Sequence, residues 1–431
     1  MKRRILTTSI PSWSQNSGAD TLSTLLGGYG ADNVANIYIR SDAPDSASCG
    51  HYFQIIESNV IKSVFKPSVV TGREVDANIE QNLPCADHHE IQEKKLYSFF
   101  TKHRLRLFLW MRELMWRLGK WNSKELNAFI SYFNPDVFVF SIESYPHYNR
   151  LNNYIIDTFK PKKVIGFLWD DNFTYKQEPY NPLAIIDRFF LRKSVSELVA
   201  KCDEVLTICP KMKRECDMEF NVNSIVVTKP SREIVAKPYK RNPEAVIRLV
   251  YTGSLVIGRY EPIRMLAEAI KEINDELGMR FFLDIYSQTT LSKKKLTSLN
   301  IDGSSCFRGS IKQADAFIEQ QNSDILVFVE SLKNKCTNIA RLSFSTKITD
   351  YLSAGRCIFA IGPDDLSSVE YFQQEKAAIV ATKADEIKSS LLSILSDDKL
   401  IESYAARASY VAEKNHNSDK IKSIFWEIIN S

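Results

Sequence analysis

Phe344-Ser345-Thr346-Lys347-Ile348-Thr349-Asp350-Tyr351-Leu352-Ser353-Ala354-Gly355 is the stretch on which the reading of this 431-residue chain turns. An apolar run, Asp324–Val329, ends just before it, at Glu330, and a polar loop leads into it. Ser345 and Thr346 stand where a helix over Thr346–Ala354 needs an N-cap, because a side-chain oxygen there accepts from backbone N–H groups of the first turn. Gly355 closes the helix, since glycine adopts the left-handed conformation that ends helices. The open N–H groups and partial positive charge of a helix start favour an anion. Lys347 in the first turn adds a full charge. Asp350, three residues on, offers a carboxylate that can accept from both hydroxyls of a ribose. The pattern fits a nucleoside diphosphate. It fits equally a capped helix carrying a Lys–Asp pair on its surface.

Strand and helix alternate outward from this stretch in both directions, which implies parallel sheets covered by helices. After the linker, strands are expected at Val246–Tyr251, Arg280–Tyr286, Asp324–Val329 and Cys357–Ile361. Between the first two lies a helix from about Glu261–Pro262. Its apolar residues Ile263, Leu266, Ala267, Ile270 and Ile273 follow helical spacing. Before the linker, strands are expected at Arg4–Ser9, Ile37–Ile39, Asp136–Phe140, Lys163–Leu168 and Glu204–Ile208, with a long helical stretch over Leu96–Trp121. Residues 41–92 are polar and irregular and read as an insertion or acceptor-facing loops. Lys229–Glu244 carries Pro230, Pro238, Pro243 and a cluster of cations, and reads as the linker. The expected division is 1–235 and 246–415, with a C-terminal helix at about 416–431 reaching back onto the first half.

Hydrophobic content of 44% and charged content of 25% are those of a soluble globular protein. A formal net charge of +4 argues neither for nor against nucleic acid. The eight cysteines form no CxxC pair. Cys202, Cys209 and Cys216 recur every seven residues, with Pro210 interrupting a shared helix, and unpaired thiols are expected. No run approaches the ~18–20 apolar residues of a membrane-spanning helix, and the start of the chain lacks a signal-peptide pattern. The expected location is the cytoplasm, at most peripheral on the inner face of a membrane.

The string Ser345–Gly355 resembles the S/T-K-hydrophobic-x-E-Y-L-x-x-G segment of the family-4-type bacterial glycosyltransferases. Tyr251-Thr252-Gly253-Ser254-Leu255 followed by Gly258-Arg259 looks like their Y-x-G-x-L…R segment. Phe307-Arg308-Gly309 and Ser323-Asp324-Ile325-Leu326-Val327 fall between the two in the family's order. The resemblance spans roughly 246–382 and implies the GT-B fold: two Rossmann-like lobes with parallel sheets facing a cleft, the donor nucleotide on the C-terminal lobe and the acceptor mainly on the N-terminal one. It also implies sugar transfer from a nucleoside-diphosphate sugar to a glycan or lipid-linked acceptor, with retention, in bacterial surface polysaccharide synthesis. The nucleotide sugar, of UDP or GDP type, would be a co-substrate. No cofactor or metal is expected. The family's ribose carboxylate is usually Glu, here Asp350. A second glutamate expected earlier is here Leu342, and Glu330 substitutes for it only if the loop between folds back.

Gly253 and Ser254 follow a strand end, where ligands of such sheets bind. Arg259 beside Lys347 would give two cations that stabilise a departing diphosphate. Gly18, in the loop Trp13–Asp20, would let backbone approach the donor. Asp170 and Asp171 follow another strand end and could hold acceptor hydroxyls or act as base. Glu143 and His147 are the alternatives on that side. For each of these residues the plain structural role stays open. From Lys94 to Trp121 there are eight Lys or Arg residues and one acid, Glu113, interleaved with apolar side chains and three tryptophans. That suits an amphipathic helix on an anionic membrane, or a lobe helix with a cationic outer face. Nothing resembling a nucleic-acid-binding module accompanies it. Two other functions share the fold: nucleotide-sugar 2-epimerases, and catalytically degenerate binding proteins.

Overall fold

The structure, a computed structural model, describes residues 2–13, 21–40, 42–76, 106–231, 234, 238–397 and 399–431. Short, fully buried apolar strands build two sheets. In the first, β1 (Ile5–Ser9), β2 (Val34–Tyr38), β3 (His51–Ile55), β4 (Gly72–Val75), β5 (Val137–Ser141), β6 (Lys163–Leu168), β7 (Glu204–Thr207) and β8 (Ile225–Val226) lie in the order β4-β3-β2-β1-β5-β6-β7-β8. Every neighbouring pair is parallel except β3–β4. In the second, β9 (Ile247–Thr252), β10 (Phe281–Tyr286), β11 (Ser305–Gly309), β12 (Ile325–Val329), β13 (Cys357–Ile361) and β14 (Ile379–Ala381) run in the order β11-β10-β9-β12-β13-β14, all parallel. Each order reverses direction once, between β1 and β5 and between β9 and β12. In open sheets of this kind the crevice beyond the strand ends at such a reversal is where ligands bind. The α/β class with two parallel-dominated sheets agrees with the reading from sequence.

Of the stretch 41–92, residues 77–92 lie outside the described ones, and 42–76 are more regular than their composition suggests. They hold β3, helix Glu57–Ser63 and β4. Their polar residues are partnered inside the fold, which hides the strand pattern. Gln54 donates from Nε2 to the Arg40 carbonyl at 2.9 Å and accepts from Arg73 at 3.1 Å. Glu57 takes Arg112 and Trp116 Nε1, the latter at 2.7 Å. Of the expected helix Leu96–Trp121, the part Arg106–Leu118 is helical and the residues up to 105 lie outside the described ones. Pro210 does not break a cysteine-bearing helix but starts one, Pro210–Phe220, and Cys202, Cys209 and Cys216 are free thiols.

The chain passes between the two sheets twice, near 229–244 and near 416. The C-terminal helix Ser418–Asn430 lies against helix Thr21–Leu26 of the first sheet's layer, with Phe425 and Ile429 buried and Trp426 Nε1 donating to the Leu25 carbonyl at 2.8 Å. His416 ties the two passages together. Its carbonyl accepts from Ser231 N at 2.8 Å, its Nδ1 meets Thr228 Oγ1 at 3.0 Å, and its Nε2 meets Tyr371 Oη at 2.8 Å. Burial drives its pKa down to about 4. The folded protein therefore holds a neutral imidazole that the unfolded chain protonates at its ordinary value near 6.5. Relative to His416→Gln, wild-type stability should fall by roughly 1.4 kcal/mol per pH unit as pH drops from 6.5 to 4, and be independent of this residue above 6.5. Denaturant melts of both proteins across that range check this. Parallel curves would contradict it.

Candidate functional site

The end of β9 and the start of helix Lys347–Ser353 come together because β9 and β12 are neighbours and the helix is anchored to both. Tyr351, one turn after Lys347, is fully buried. Its hydroxyl lies 3.2 Å from Thr252 Oγ1 and donates to the Val327 carbonyl at 3.3 Å. Lys347 is thereby directed over β9's last turn. Its Nζ sits 5.2 Å from the centre of the Tyr251 ring, a cation–π distance. Gly253 makes this possible. A Cβ there would lie 2.7 Å from Lys347 Cε and would collide with Nζ itself. The need is for space, not for an unusual backbone angle. Among the described residues no carboxylate lies within ion-pair distance of the ammonium. Burial, then the positive charge of Arg259, pushes its pKa down to about 8, with Glu330 opposing.

A cavity of about 580 Å³ opens in front of this ammonium. Gly253, Ser254, Thr346, Lys347 and Asp350 line it, with Ser287, Gln288 and Phe317 on the far side. Asp350 is paired with Lys229 of the linker at 3.5 Å. The expected N-cap is not made. Thr346 is already in helical geometry and makes no side-chain cap, and Ser345 Oγ accepts from Lys347 N only at 3.4 Å. The helix is seven residues long and starts in this tight turn, so the charge in the site comes from Lys347 rather than from a strong dipole. Gly355 ends the helix as expected, at φ 62°.

Arg259, at the start of helix Tyr260–Leu277, and Glu330, just past the end of β12, form a two-pronged pair, both N–O distances 2.9 Å. β9 and β12 are neighbours, which brings the two residues together. Burial opposes the charge of Arg259, but Glu330 outweighs it and holds the pKa above the ordinary value. The turn before Arg259 has Ile257 at φ 54° and Gly258 at φ 76°. A branched side chain at positive φ is strained, and such strain gathers at ligand-binding turns. Gly258 is required, since a Cβ there would stand 2.9 Å from Ser331 Cβ. Leu342, at the expected acid position, is a fully buried core residue.

Across from this site, Asp170 and Asp171 separate into different roles. Asp170 Oδ1 accepts from Ser343 Oγ at 2.8 Å, bridging the two sheets' layers. Asp171 is buried, accepts from Thr174 N at 2.9 Å and from Thr174 Oγ1, and lies 3.6 Å from Arg341. Those partners make it a turn-forming residue that also pairs with Arg341 of the other sheet's layer. Glu143, at the end of β5, is raised to about 7, first by burial and then by the charge of Asp170, while Ser141 and Arg40 oppose. His147 is stacked on Trp116 at 4.7 Å and bonded to Glu113 at 3.2 Å, inside the helical layer. Gly18 lies outside the described residues. Among the described residues no group of three or more His, Cys, Asp or Glu side chains could hold a metal ion. Lys229, Tyr251 and Tyr351 were not singled out in the sequence as site residues. The Lys347–Tyr351 spacing of one helical turn was the available signal for the last.

This architecture is the GT-B fold. Solved structures that match over the whole chain are GT-B glycosyltransferases. Sucrose-phosphate synthase from Thermosynechococcus elongatus matches at 12% identity and TM-score 0.61, covering 99% of this chain and 98% of that one. Anabaena HepE, solved with UDP-glucose, matches at 10% and 0.59, covering 99% of both. WaaG, a glycosyltransferase of lipopolysaccharide biosynthesis, matches at 11% and 0.52, again covering 99% of both. No protein-family model matches the chain, and no curated protein matches it in sequence.

The slot under Lys347 has a direct test. Competitive acylation read by mass spectrometry should give Lys347 a titration midpoint near 8, against an ordinary value near 10.5 for exposed lysines. Gly253→Ala should expel the side chain and move its midpoint toward the ordinary value. An unchanged midpoint in that variant would contradict the slot.

Proposed function

We propose that the protein transfers a sugar from a nucleoside-diphosphate sugar to a hydroxyl of a glycan or lipid-linked acceptor. The observation that carries this reading is the buried, carboxylate-free ammonium of Lys347 facing a cavity of about 580 Å³. A diphosphate supplies the missing anion, and leaving-group charge is where preorganised cations accelerate transfer most. Asp350, one turn from Lys347, accepts from the ribose hydroxyls. Gly253 and Ser254 give backbone access to the phosphates, with Thr346 and Ser345 on the opposite wall. Arg259 is the second cation, released from Glu330 as the donor enters. Glu330 is then free to meet the sugar. The UDP and UDP-glucose held by HepE favour a uridine nucleotide here.

The acceptor hydroxyl meets Asp170 and Glu143 at the ends of the first sheet's strands. Near neutrality Glu143 exchanges a proton readily, which suits it to take one from an attacking hydroxyl. Asp171 supports this edge through its turn. No metal is required in this scheme, because two cations already face the diphosphate. Retention of configuration, a role in bacterial surface polysaccharide synthesis and a peripheral site on the inner membrane face complete the proposal, the last through the basic stretch 94–121. None of the helices among the described residues is long and apolar enough to cross a membrane. A second reading, nucleotide binding without turnover, is favoured by Leu342 standing where an acid is expected.

Lys347→Ala should weaken UDP binding by about tenfold to a hundredfold, the scale of one charge-assisted contact. Wild-type affinity should also decline as pH rises through 8, where the ammonium loses its proton, and the variant should lack that decline. Calorimetric titration checks both. Unchanged affinity would remove Lys347 from the site. A panel of nucleotide sugars with acceptor glycans then separates transfer from binding alone, and sugar interconversion without acceptor would mark an epimerase.

A further inference from the structure

Two helices on the outer side of the first sheet bury little of their apolar surface. Helix Arg106–Leu118 buries only Trp116 and exposes Leu107, Leu109, Trp110, Met111, Leu114 and Leu118. Helix Pro182–Val199 exposes Leu183, Ile185, Ile186, Phe189 and Phe190 in its first half. The two are held side by side. Arg106 pairs with Glu178 at 2.8 Å and with Asp187, and Trp110 Nε1 donates to Asp187 at 2.7 Å. Between them runs a groove of about 990 Å³ whose walls include Leu109, Leu114, Ile186 and Phe190. A contiguous exposed apolar surface of this kind marks a binding surface rather than an ordinary solvated face.

The groove has a polar end, and that end lies beside the acceptor edge. Ser144 and Tyr145, which line it, directly follow Glu143. Gln177 and Arg188, also lining it, both donate to the carbonyl of Asp171, at 3.0 and 2.8 Å. Arg188 makes its other hydrogen bond to the side-chain oxygen of Gln177. Both hydrogen-bond partners of this guanidinium are neutral, and the carboxylates of Asp171 and Glu178 act on it without bonding to it. Several of the other cations on the two helices are already paired: Arg106 with Glu178 and Asp187, Arg112 with Glu57 and Arg192 with Glu219. A hydrocarbon-lined channel with a guanidinium hydrogen-bonded only to neutral groups at its inner end is complementary to an anionic amphiphile.

We infer that this groove holds the hydrocarbon chain of a phosphorylated lipid acceptor, with the lipid's phosphate at Arg188 and its sugar or hydroxyl end reaching the Glu143–Asp170 edge. The inference rests on the transferase reading and gives that acceptor a chemical class and a seat. It adds helix Pro182–Val199 to the basic stretch as the second wall.

Tryptophan fluorescence of the full chain, to which Trp110 in the groove wall contributes, reads the test, with farnesyl phosphate, farnesol and inorganic phosphate as probes. Farnesyl phosphate should bind about tenfold tighter than farnesol, and inorganic phosphate should not compete at similar concentration. Ile186→Asp with Phe190→Asp, and separately Leu114→Glu, should weaken both hydrocarbon probes by about tenfold or more. Arg188→Gln should erase the preference for the phosphate and leave farnesol binding unchanged. UDP titration of each variant, read from the other lobe, reports folding. Equal binding of farnesol and farnesyl phosphate would overturn the assignment. So would indifference to the variants, or a dimer that the apolar variants dissociate while no probe binds. Farnesyl phosphate binding as described, with no UDP binding by the wild type, would support the groove and sink the donor reading.

Discussion

An ammonium group buried against a tyrosine ring with no carboxylate to neutralise it is costly in the empty protein, because burial removes the water that would solvate it. Lys347 is held in that state by three features of the fold. Gly253 leaves the space, Tyr251 offers the ring, and Tyr351 pins the helix to β9 and β12. The other groups of the site are arranged around the same unmet charge. Arg259 lies close enough to depress it further but is itself satisfied by Glu330. Asp350 is ion-paired with Lys229. The empty site thus has its two carboxylates and its second cation engaged with protein partners, and one cation waiting. An incoming diphosphate changes that balance most favourably at Lys347.

The short stretch from Arg341 to Lys347 also joins the Lys347 site to the other sheet's layer. Arg341 grips Glu215 through both nitrogens, and Ser343 donates to Asp170. Lys211 and Arg214 reach Glu370 from the same side. A charge change at Lys347 therefore occurs four residues from the clasp that holds the lobes together. His416, at the second passage between lobes, is a neutral buried pivot rather than a charged one.

Much of the fold was legible because its strands are short apolar runs between polar turns, and because a parallel sheet buries both faces of each strand. The helix from Tyr260 followed its 3.6-residue period. Within 41–92, residues 42–76 were misread because Gln54 and Glu57 are polar residues buried with partners far away in sequence, which no local pattern records. The pair Asp170–Asp171 looked like one feature in sequence, yet Asp170 accepts from Ser343 while Asp171 also closes a turn with Thr174. Glu330 looked distant from Arg259 along the chain, but strand order makes them neighbours. The Lys347 slot was half legible. The lysine was evident, whereas Gly253 as the absence that admits it required the two strand ends to be superposed in space.

The claim that Lys347 is the seat of the diphosphate is tested most directly by a crystal structure of the protein with UDP. The account requires a diphosphate oxygen within hydrogen-bonding distance of Lys347 Nζ, the ribose at Asp350, and Arg259 turned from Glu330 toward the phosphates. A diphosphate bound elsewhere in the cleft, with Lys347 still resting on Tyr251 and the Arg259–Glu330 pair intact, would contradict it.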